Sequence, residues 1–395
     1  MTDTAESVDP GAILFGHAVA AAPQETYDRL RRACPVSRSD FNGHASVYLT
    51  RYEDVCWAFR HPEVFSSAGD ALSIGEQPLI PLQVDPPQHT DYRRFLNPRF
   101  VPREINRLEP DVRALVGELL DGFADRGSCD FHEEYATPLP SGIFLALMGL
   151  PMDDLPQFLQ WRDNTIRPDV DPLDFDGAAA IRKQTAHEIS DYFRAAIADK
   201  RVNPDDRLLS EIIHGKVAGR EMTETELLGI AHLLLLGGLD TVTATLDCMI
   251  VYLANHPDFR RQLVDDPSRI PQAVEELLRW ETPVMVLPRT VAKEVEIGGV
   301  TLQPGDIATL VIGAANLDDD EFGDTGVRFG RDPNRHVAFG GGNHLCLGAH
   351  LARLEVRVAL EEFHARIPEY RIQDGAELHF SPGIRQAEHL MLEWG

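Results

Sequence analysis

The stretch Phe339-Gly340-Gly341-Gly342-Asn343-His344-Leu345-Cys346-Leu347-Gly348 places one cysteine between glycines, directly ahead of an apolar pattern. Leu351, Leu354 and Val358 recur at helical spacing after it, which predicts that Cys346 lies at the start of a helix. Unpaired N–H groups and the helix dipole stabilise a thiolate at such a position. The stretch therefore predicts an ionised cysteine that serves as a metal ligand.

Zinc is the alternative metal, because His344 and Cys346 are both of zinc-ligand type. Structural zinc needs four ligands, and no second Cys or His lies at a short zinc-type spacing from this pair. Phe339 is placed to shield one side of the sulfur, and Gly342 and Gly348 would allow the backbone to approach a large flat ligand. The loop therefore favours a planar group over a zinc ion.

The pattern Phe-x-x-Gly-x-x-x-Cys-x-Gly, with a basic residue two positions before the cysteine, closely resembles the haem loop of the cytochrome P450 family. The resemblance extends over nearly the whole chain, with four motifs in the family's order. It implies a mainly α fold with a small β region, in which a long central helix and the Cys-ligand loop enclose haem b. It also implies Cys346 as the axial thiolate ligand, which favours O–O cleavage.

Length and composition predict a soluble chain with one large domain, residues 1–395. No linker, repeat or low-complexity run divides the sequence, and its hydrophobic content of 43% is ordinary for a globular protein. The net charge of −26 argues against nucleic acid and anionic membranes as partners. We expect a monomer.

The cysteines and apolar runs bear on localisation. Five scattered cysteines suggest no disulfide framework and indicate a reducing cytoplasm. No signal peptide is evident at the start of the sequence. The longest apolar run, 227–239, is far short of the ~20 residues that a membrane span needs. The sequence therefore predicts a cytoplasmic protein with no membrane partner.

A pair of basic residues follows Asp85-Pro86-Pro87. His89 and Arg93 are spaced i and i+4, so they share one helical face and can reach one anion together. A solvated helix face is the alternative interpretation. A buried carboxylate needs cationic donors, and the family resemblance implies that these two residues, together with Arg289 and His344, hold the haem propionates.

A capping box, Thr223 to Glu226, opens a helix predicted to run to about Asn255. Within it, the two glycines of Gly237-Gly238-Leu239-Asp240-Thr241 cost about 1 kcal/mol each, and a buried aspartate costs more unless it has a partner or a role. An ordinary kink, with Thr241 bonding back to the carbonyl of Gly237, is the alternative. The string resembles the family's acid–alcohol pair, which implies that Asp240 and Thr241 manage protons beside bound oxygen.

A helix predicted over Ile270 to Trp280 contains Glu276 and Arg279. Glu-x-x-Arg is a weak motif, since it recurs at Glu104 to Arg107. Its position between the long helix and the cysteine loop, with Arg328 available between, resembles the family's Glu-Arg-Arg triad. This triad would hold the cysteine loop against the core.

The pocket is predicted to be small and apolar. Segment 66–87, which carries Gln77 and Ile80, is a long irregular loop, and such loops are uncommon unless functional. The family resemblance implies that this loop covers the pocket, that one wall comes from the long helix, and that a third part precedes Arg289. The predicted substrate contacts are Leu79, Leu82, Leu233, Leu236, Gly237, Val286 and Leu287. Such a lining suits a compact terpenoid or a similar alicyclic molecule.

The resemblance implies an O₂-dependent monooxygenase that hydroxylates or epoxidises an apolar substrate. Two alternatives stay open: a peroxide-driven haem-thiolate peroxygenase, and a non-catalytic haem-binding sensor. Electrons are expected from a separate ferredoxin and ferredoxin reductase, because no flavin or iron–sulfur motif is evident. Arg94, Arg103 and Arg353 are the predicted docking residues for the acidic ferredoxin.

Overall fold

The computed structural model describes residues 14, 16–41, 44–68, 78–170 and 174–395. Gln77, one of the predicted pocket residues, lies outside them. The described helices, in chain order from α1 to α17, are His17–Ala21, Pro23–Ala33, Tyr52–Arg60, Gln88–Leu96, Pro102–Ile105, Glu109–Asp121, Pro138–Met148, Leu155–Ile166, Phe175–Val202, Leu208–His214, Glu224–Leu239, Thr241–Asn255, Pro257–Asp265, Ile270–Glu281, Ile312–Ala315, Asp319–Phe322 and Ala349–Arg366.

The strands are short and contribute a minor part of the fold. In chain order from β1 to β14 they are Val36–Phe41, His44–Leu49, Phe65–Ser66, Ser128–Asp130, Lys216–Val217, Arg220–Glu221, Leu287–Val291, Val295–Ile297, Val300–Leu302, Ile307–Leu310, Arg371–Ile372, Phe380–Ser381, Gln386–Ala387 and Met391–Glu393. The predicted mainly α architecture with a small β region is therefore confirmed.

One five-stranded sheet, in the order β1-β2-β10-β7-β3, carries a residue predicted for the site. Strand β10 runs parallel to β2 and antiparallel to β7. In that register Arg289 of β7 pairs with Ala308, and Leu287 pairs with Leu310. Residues two apart in a strand share a face, so β7 presents Leu287 and Arg289 to the same side of the sheet.

The capping box of α11 forms as predicted. The Thr223 hydroxyl accepts a hydrogen bond from the Glu226 N–H at 3.3 Å, and the Glu226 carboxylate accepts one from the Thr223 N–H at 2.7 Å. The predicted single helix is interrupted at Asp240, whose φ of −117° separates α11 from α12. The interruption lies directly after the glycine pair, where the helix is intrinsically weakest.

The span Glu224–Asn255 is long and apolar enough, by length and composition, to cross a membrane. In this fold 72% of its most apolar window is buried inside the protein. Its apolar side chains therefore pack against the other helices, as those of a core helix do.

The buried ion cluster around Glu276 differs from the predicted triad in one member. Glu276 binds the Arg279 guanidinium at 2.8 and 3.0 Å and Nε of Arg331 at 3.0 and 3.1 Å. Arg328 contributes only its backbone N–H, at 2.9 Å, and its side chain is exposed. The prediction of Arg328 as the third member is therefore wrong, because the turn between α16 and the loop aims Arg331 inward instead.

Candidate active site

The cysteine loop is held by its own backbone. The Cys346 N–H donates to the carbonyl of Phe339 at 2.9 Å, and α17 begins three residues after the cysteine. Protein surrounds the thiol except toward a cavity, from which it is accessible. Burial raises the pKa of the Cys346 thiol, although the Gly348 N–H and the charges of Arg93 and Arg353 oppose the shift. Burial therefore opposes the ionisation that the helix start favours, and a bound iron would supply the positive charge that stabilises the thiolate.

The two glycines expected to admit a flat ligand have different roles. A Cβ on Gly342, which has a φ of +61°, would lie 2.0 Å from the Phe59 carbonyl oxygen, so this glycine admits the end of α3 and not a ligand. Gly348 lines the cavity, and a Cβ there would meet no atom within 4 Å. Gly348 thus leaves open space beside Cys346, as predicted.

The four predicted anion-binding residues come together beside this loop. The rings of His89 and His344 lie 4.1 Å apart, centroid to centroid, and both residues line the cavity with Arg93. Arg289 is buried, and the only hydrogen bond of its guanidinium among the described residues goes to the carbonyl of Pro288 at 2.7 Å. These four side chains, drawn from α4, β7 and the cysteine loop, form what we call the cationic cluster.

Within the described part of the chain, no carboxylate forms an ion pair or hydrogen bond with the cationic cluster, although the charge of Asp85 acts on His89 and Arg289. Both ring nitrogens of His89 and Nε2 of His344 are buried without a hydrogen-bond partner among the described residues. Burial, reinforced by neighbouring cations, lowers the pKa of His89 to about 4 and that of His344 to about 3. Burial likewise lowers the pKa of Arg289 to about 10. These donors fit a ligand that brings negative charge into the cavity.

The cavity has a volume of about 410 Å³ and is mostly apolar. Six of the seven predicted substrate contacts line it, and Val286 does not, because it packs beside the buried Met285 and Tyr27. Val284 lines the cavity instead of Val286. Sequence reasoning missed several further lining residues: Phe144, Leu147 and Met148 of α7, and Ile384 near the C-terminus.

None of these four missed contacts had a signal in the sequence. The α7 residues belong to a helix that is apolar on most sides, so the pattern does not show which face meets the cavity. Ile384 reaches the cavity because its segment forms a bridge with Val284, a pairing of residues 100 positions apart.

The helix break lies at the cavity wall. Thr241 lines the cavity, and its hydroxyl donates to the carbonyl of Gly237 at 3.1 Å, which is the kink geometry considered above. Asp240 is completely buried and does not line the cavity. Its carboxylate binds the Arg167 guanidinium at 2.8 Å and lies 4.0 Å from Nε of Arg162. The pair therefore consists of an accessible alcohol and a sequestered acid.

Haem b fits this arrangement. Its two propionates would supply the anions that the cationic cluster lacks, the space beside Gly348 admits a flat ring, and Cys346 faces that space with an accessible thiol. Glu355 is the acid at the cavity wall, and burial raises its pKa well above the usual range, which favours its neutral form. Among the described residues, no three His, Cys, Asp or Glu side chains converge to hold a metal ion. This is a site for one thiolate and a planar dianionic cofactor.

Comparison with known proteins agrees with this class of site. The family model described as Cytochrome P450 matches residues 9–270 and 268–364. The chain is 34% identical to the steroid C26-monooxygenase of Mycolicibacterium smegmatis, over 91% of this chain and 89% of that protein. It superposes on the crystal structure of CYP109E1 from Bacillus megaterium in complex with testosterone with a TM-score of 0.88, at 27% identity, covering 96% and 99% of the two chains.

A second solved structure, CYP101J2, superposes with a TM-score of 0.83 at 34% identity, covering 94% of this chain and 93% of that one. The chain thus belongs to the cytochrome P450 family. It is a haem b oxidoreductase that incorporates one oxygen atom of O₂.

Proposed function

We propose that this protein hydroxylates or epoxidises a small, uncharged, alicyclic substrate, terpenoid-like in its compactness, with electrons from a separate ferredoxin. One observation carries the proposal: a single apolar cavity extends from Cys346 to Thr241 and the leucines of α11. Haem b, when bound, supplies oxygen activation with its thiolate ligand. Cys346 would be that ligand, and the cationic cluster would hold the propionates.

The remaining residues would control protons and water. The leucines around the cavity exclude water, so a proton must be delivered to bound oxygen by a specific group. Thr241 presents a hydroxyl at the wall, and Asp240 is the acid beside it in the chain. Arg167 holds Asp240 away from the cavity, so the acid would deliver a proton only after exchanging that contact for another.

The substrate assignment rests on the lining away from the cationic cluster. Among the described residues that part is built from Leu79, Leu82, Leu233, Leu236 and Phe144, with no charged side chain among them to bind a carboxylate. Relatives include a steroid C26-monooxygenase and a structure with bound testosterone, both of which concern alicyclic molecules. We therefore favour an uncharged alicyclic substrate over a fatty acid.

A binding panel tests the substrate class. Terpenoids, steroids, fatty acids and simple aromatics are titrated into the ferric protein while the haem spectrum reports displacement of the axial water. We expect terpenoids or steroids to give the largest spin-state shift. A shift produced by long fatty acids and by no alicyclic compound would contradict the assignment.

Replacing Thr241 by alanine tests the monooxygenase mechanism. The variant should bind haem and substrate normally and divert reducing equivalents to hydrogen peroxide, with a rise in peroxide yield of about tenfold, because the hydroxyl that organises protons is lost. Thr245→Ala is the matched control, since Thr245 also lines the cavity and its hydroxyl bonds the carbonyl of Thr241 at 2.7 Å. Equal peroxide yields from both variants would refute the role of Thr241.

The alternative reading as a peroxide-driven peroxygenase remains a second candidate. Such an enzyme receives its oxygen already reduced, so it has no need of an acid–alcohol pair. The Asp240–Thr241 pair at the helix break therefore favours the O₂-dependent reaction. The sensor alternative is disfavoured by the monooxygenases among the relatives. A comparison of turnover with reduced ferredoxin and turnover with peroxide alone distinguishes a monooxygenase from a peroxygenase.

Ferredoxin would dock on the cysteine side of the molecule. A groove of about 430 Å³ is lined there by Pro102, Asn106, His350, Arg353 and Arg357, which places the segment after α4 beside the start of α17. Arg353 is engaged by Glu275 at 2.6 and 2.8 Å, which makes it a weaker docking candidate than its position suggested. Arg94 and Arg103 are 74% and 81% exposed and remain the better candidates.

Charge reversal at these two arginines tests the docking surface. Arg94→Glu with Arg103→Glu should slow reduction by ferredoxin about tenfold at low ionic strength and flatten its salt dependence, because steering by opposite charge is lost. Arg32→Glu is the control, since Arg32 is also an exposed, aspartate-paired arginine but lies in α2. If the double variant and the control are reduced at the same rate, this face is not the docking site.

We also propose a cytoplasmic monomer of one domain spanning residues 1–395. The soluble character of the bacterial relatives supports the location. Free cysteines at all five positions are compatible with a reducing compartment.

A further inference from the structure

A second group of buried ionisable side chains lies behind the helix break, outside the residues that line the cavity. Nδ1 of His132 lies 2.8 Å from Oδ2 of Asp247, and Nε2 of His132 lies 3.3 Å from the Thr137 hydroxyl. His132 is 5% exposed and Asp247 is completely buried. His132 sits in a π-helical turn, His132–Ala136, and Asp247 sits in α12.

Asp240 lies close enough to this pair for its charge to raise the pKa of Asp247. Asp240 begins the helix that contains Asp247, and a spacing of seven residues places both on one helical face. Arg162 of α8 acts on both groups. Its Nε is 4.0 Å from Asp240, and its charge lowers the pKa of His132. The Thr243 hydroxyl donates to the carbonyl of Ala136 at 3.0 Å and so fastens the π-helical turn to α12.

Two buried polar atoms in this group have no partner among the described residues. They are Oδ1 of Asp247 and Nη1 of Arg162. Buried polar atoms in folded proteins almost always have a hydrogen-bond partner, and ordered water supplies it where side chains do not. The orphaned atoms therefore indicate ordered water at two places, beside Oδ1 of Asp247 and beside Nη1 of Arg162, whose Nε is 4.0 Å from Asp240.

Stability does not explain the His132–Asp247 pair. Replacing a buried ion pair by well-packed apolar residues is often neutral or stabilising, and α12 is otherwise apolar at this level. Burial acts to lower the pKa of His132, but the bond to Asp247 and the charge of Glu133 outweigh it, and the net pKa is raised. Burial also raises the pKa of Asp247, with Asp130 and Asp240 acting in the same direction and His132 opposing. The pair therefore retains a proton more readily than either group would in water.

We propose that His132 and Asp247 form a proton relay that refills Asp240 through ordered water at the orphaned atoms of Asp247 and Arg162. The relay rests on the proposed role of Asp240 and Thr241. Its entrance is Glu133, which is 56% exposed at the side chain and lies 3.9 Å from Nε2 of His132, a gap that one water can bridge. Glu133 takes a proton from solvent and passes it to Nε2 of His132, Nδ1 of His132 gives its proton to Asp247, and Asp247 passes one through water to Asp240. Rotation of the imidazole, which exchanges its two nitrogens, then returns the pair to its starting state. No electrons move in the relay.

His132→Gln in the holoenzyme tests the relay, because glutamine keeps a donor for Asp247 but does not titrate. With ferredoxin, its reductase and an alicyclic substrate from the panel, we expect coupling of electrons to product to fall about tenfold, less than the loss for a direct general acid. The solvent deuterium isotope effect on turnover should rise and the pH profile should change shape. Nitrogen NMR of labelled histidine in the reduced carbon monoxide complex should show one imidazole whose pKa falls in Asp247→Asn.

His364→Gln is the matched control. His364 is comparably buried and pairs with the Tyr370 hydroxyl at 3.2 Å, but it lies on α17. A purely structural role would lower the stability of both variants and leave the isotope effect and pH profile unchanged. If His132→Gln does not fold, the surface variant Glu133→Gln tests the relay instead. The relay predicts that coupling of electrons to product falls in Glu133→Gln and stays at the wild-type value in Glu134→Gln.

Asp240→Asn separates failure of the relay from failure of the proposed function. Wild-type coupling and isotope effect in His132→Gln, with uncoupling in Asp240→Asn, would overturn the relay and leave the acid–alcohol mechanism intact. Full coupling in Asp240→Asn would overturn both.

Discussion

Glu276→Gln should destabilise the protein by about 3–5 kcal/mol, the cost of leaving a buried charge without its partner. Glu276 is completely buried and is the carboxylate that neutralises Arg279 and Arg331, which are themselves buried. It also accepts hydrogen bonds from the Arg328 N–H and from Asn334. Because a typical domain is stable by only 5–15 kcal/mol, much of the haem-loaded protein should be lost.

The neighbouring residue provides a matched control for this variant. Glu275 pairs with Arg353 and His336, but its side chain is 31% exposed, so Glu275→Gln should cost about 1 kcal/mol. Urea unfolding of both variants, with the haem content of the soluble fraction, measures the difference. Equal stabilities would show that the buried cluster does not brace the cysteine loop.

Cys346→His should abolish monooxygenation while leaving some haem bound. Imidazole can ligate iron, but it donates far less charge than a thiolate and does not favour O–O cleavage. We expect product formation to fall by more than about 100-fold, since even changes around a metal's ligands cost 10- to 100-fold. Cys56→Ser is the control, because Cys56 is partly buried and does not line the cavity. Unchanged product formation in Cys346→His would show that another group ligates the iron.

The sequence was informative wherever a function depends on local spacing. His89 and Arg93 lie one helical turn apart, and Gly237 precedes Thr241 by one turn, so their mutual placement follows from helix geometry. Glu276 and Arg279 pair for the same reason. The capping box at Thr223 likewise required only four consecutive residues.

The errors occurred where chain geometry between elements decides the outcome. The third cluster member is Arg331 and not Arg328, because a three-residue difference within an irregular turn determines which side chain points inward. Val284 lines the cavity in place of Val286 for a related reason. The extended segment before β7 turns the side chain of Val284 toward the cavity and not that of Val286. Neither choice is encoded in a periodic pattern.

Contacts between distant segments could not be anticipated at all. Asp247 is an acid in an apolar helix, and its partner His132 lies 115 residues away. The thiol of Cys346 illustrates a different limit. The helix start was predicted to ionise it, yet burial dominates and raises its pKa, because desolvation outweighs the N–H and arginine contributions.

The central claim is that Cys346 ligates haem iron as a thiolate, and the absorption spectrum of the reduced carbon monoxide complex tests it most directly. The wild-type protein should show the strongly red-shifted band that only a thiolate ligand produces, and Cys346→His should lose it while Cys56→Ser retains it. A wild-type spectrum without that band, or a Cys346→His variant that keeps it, would contradict the account.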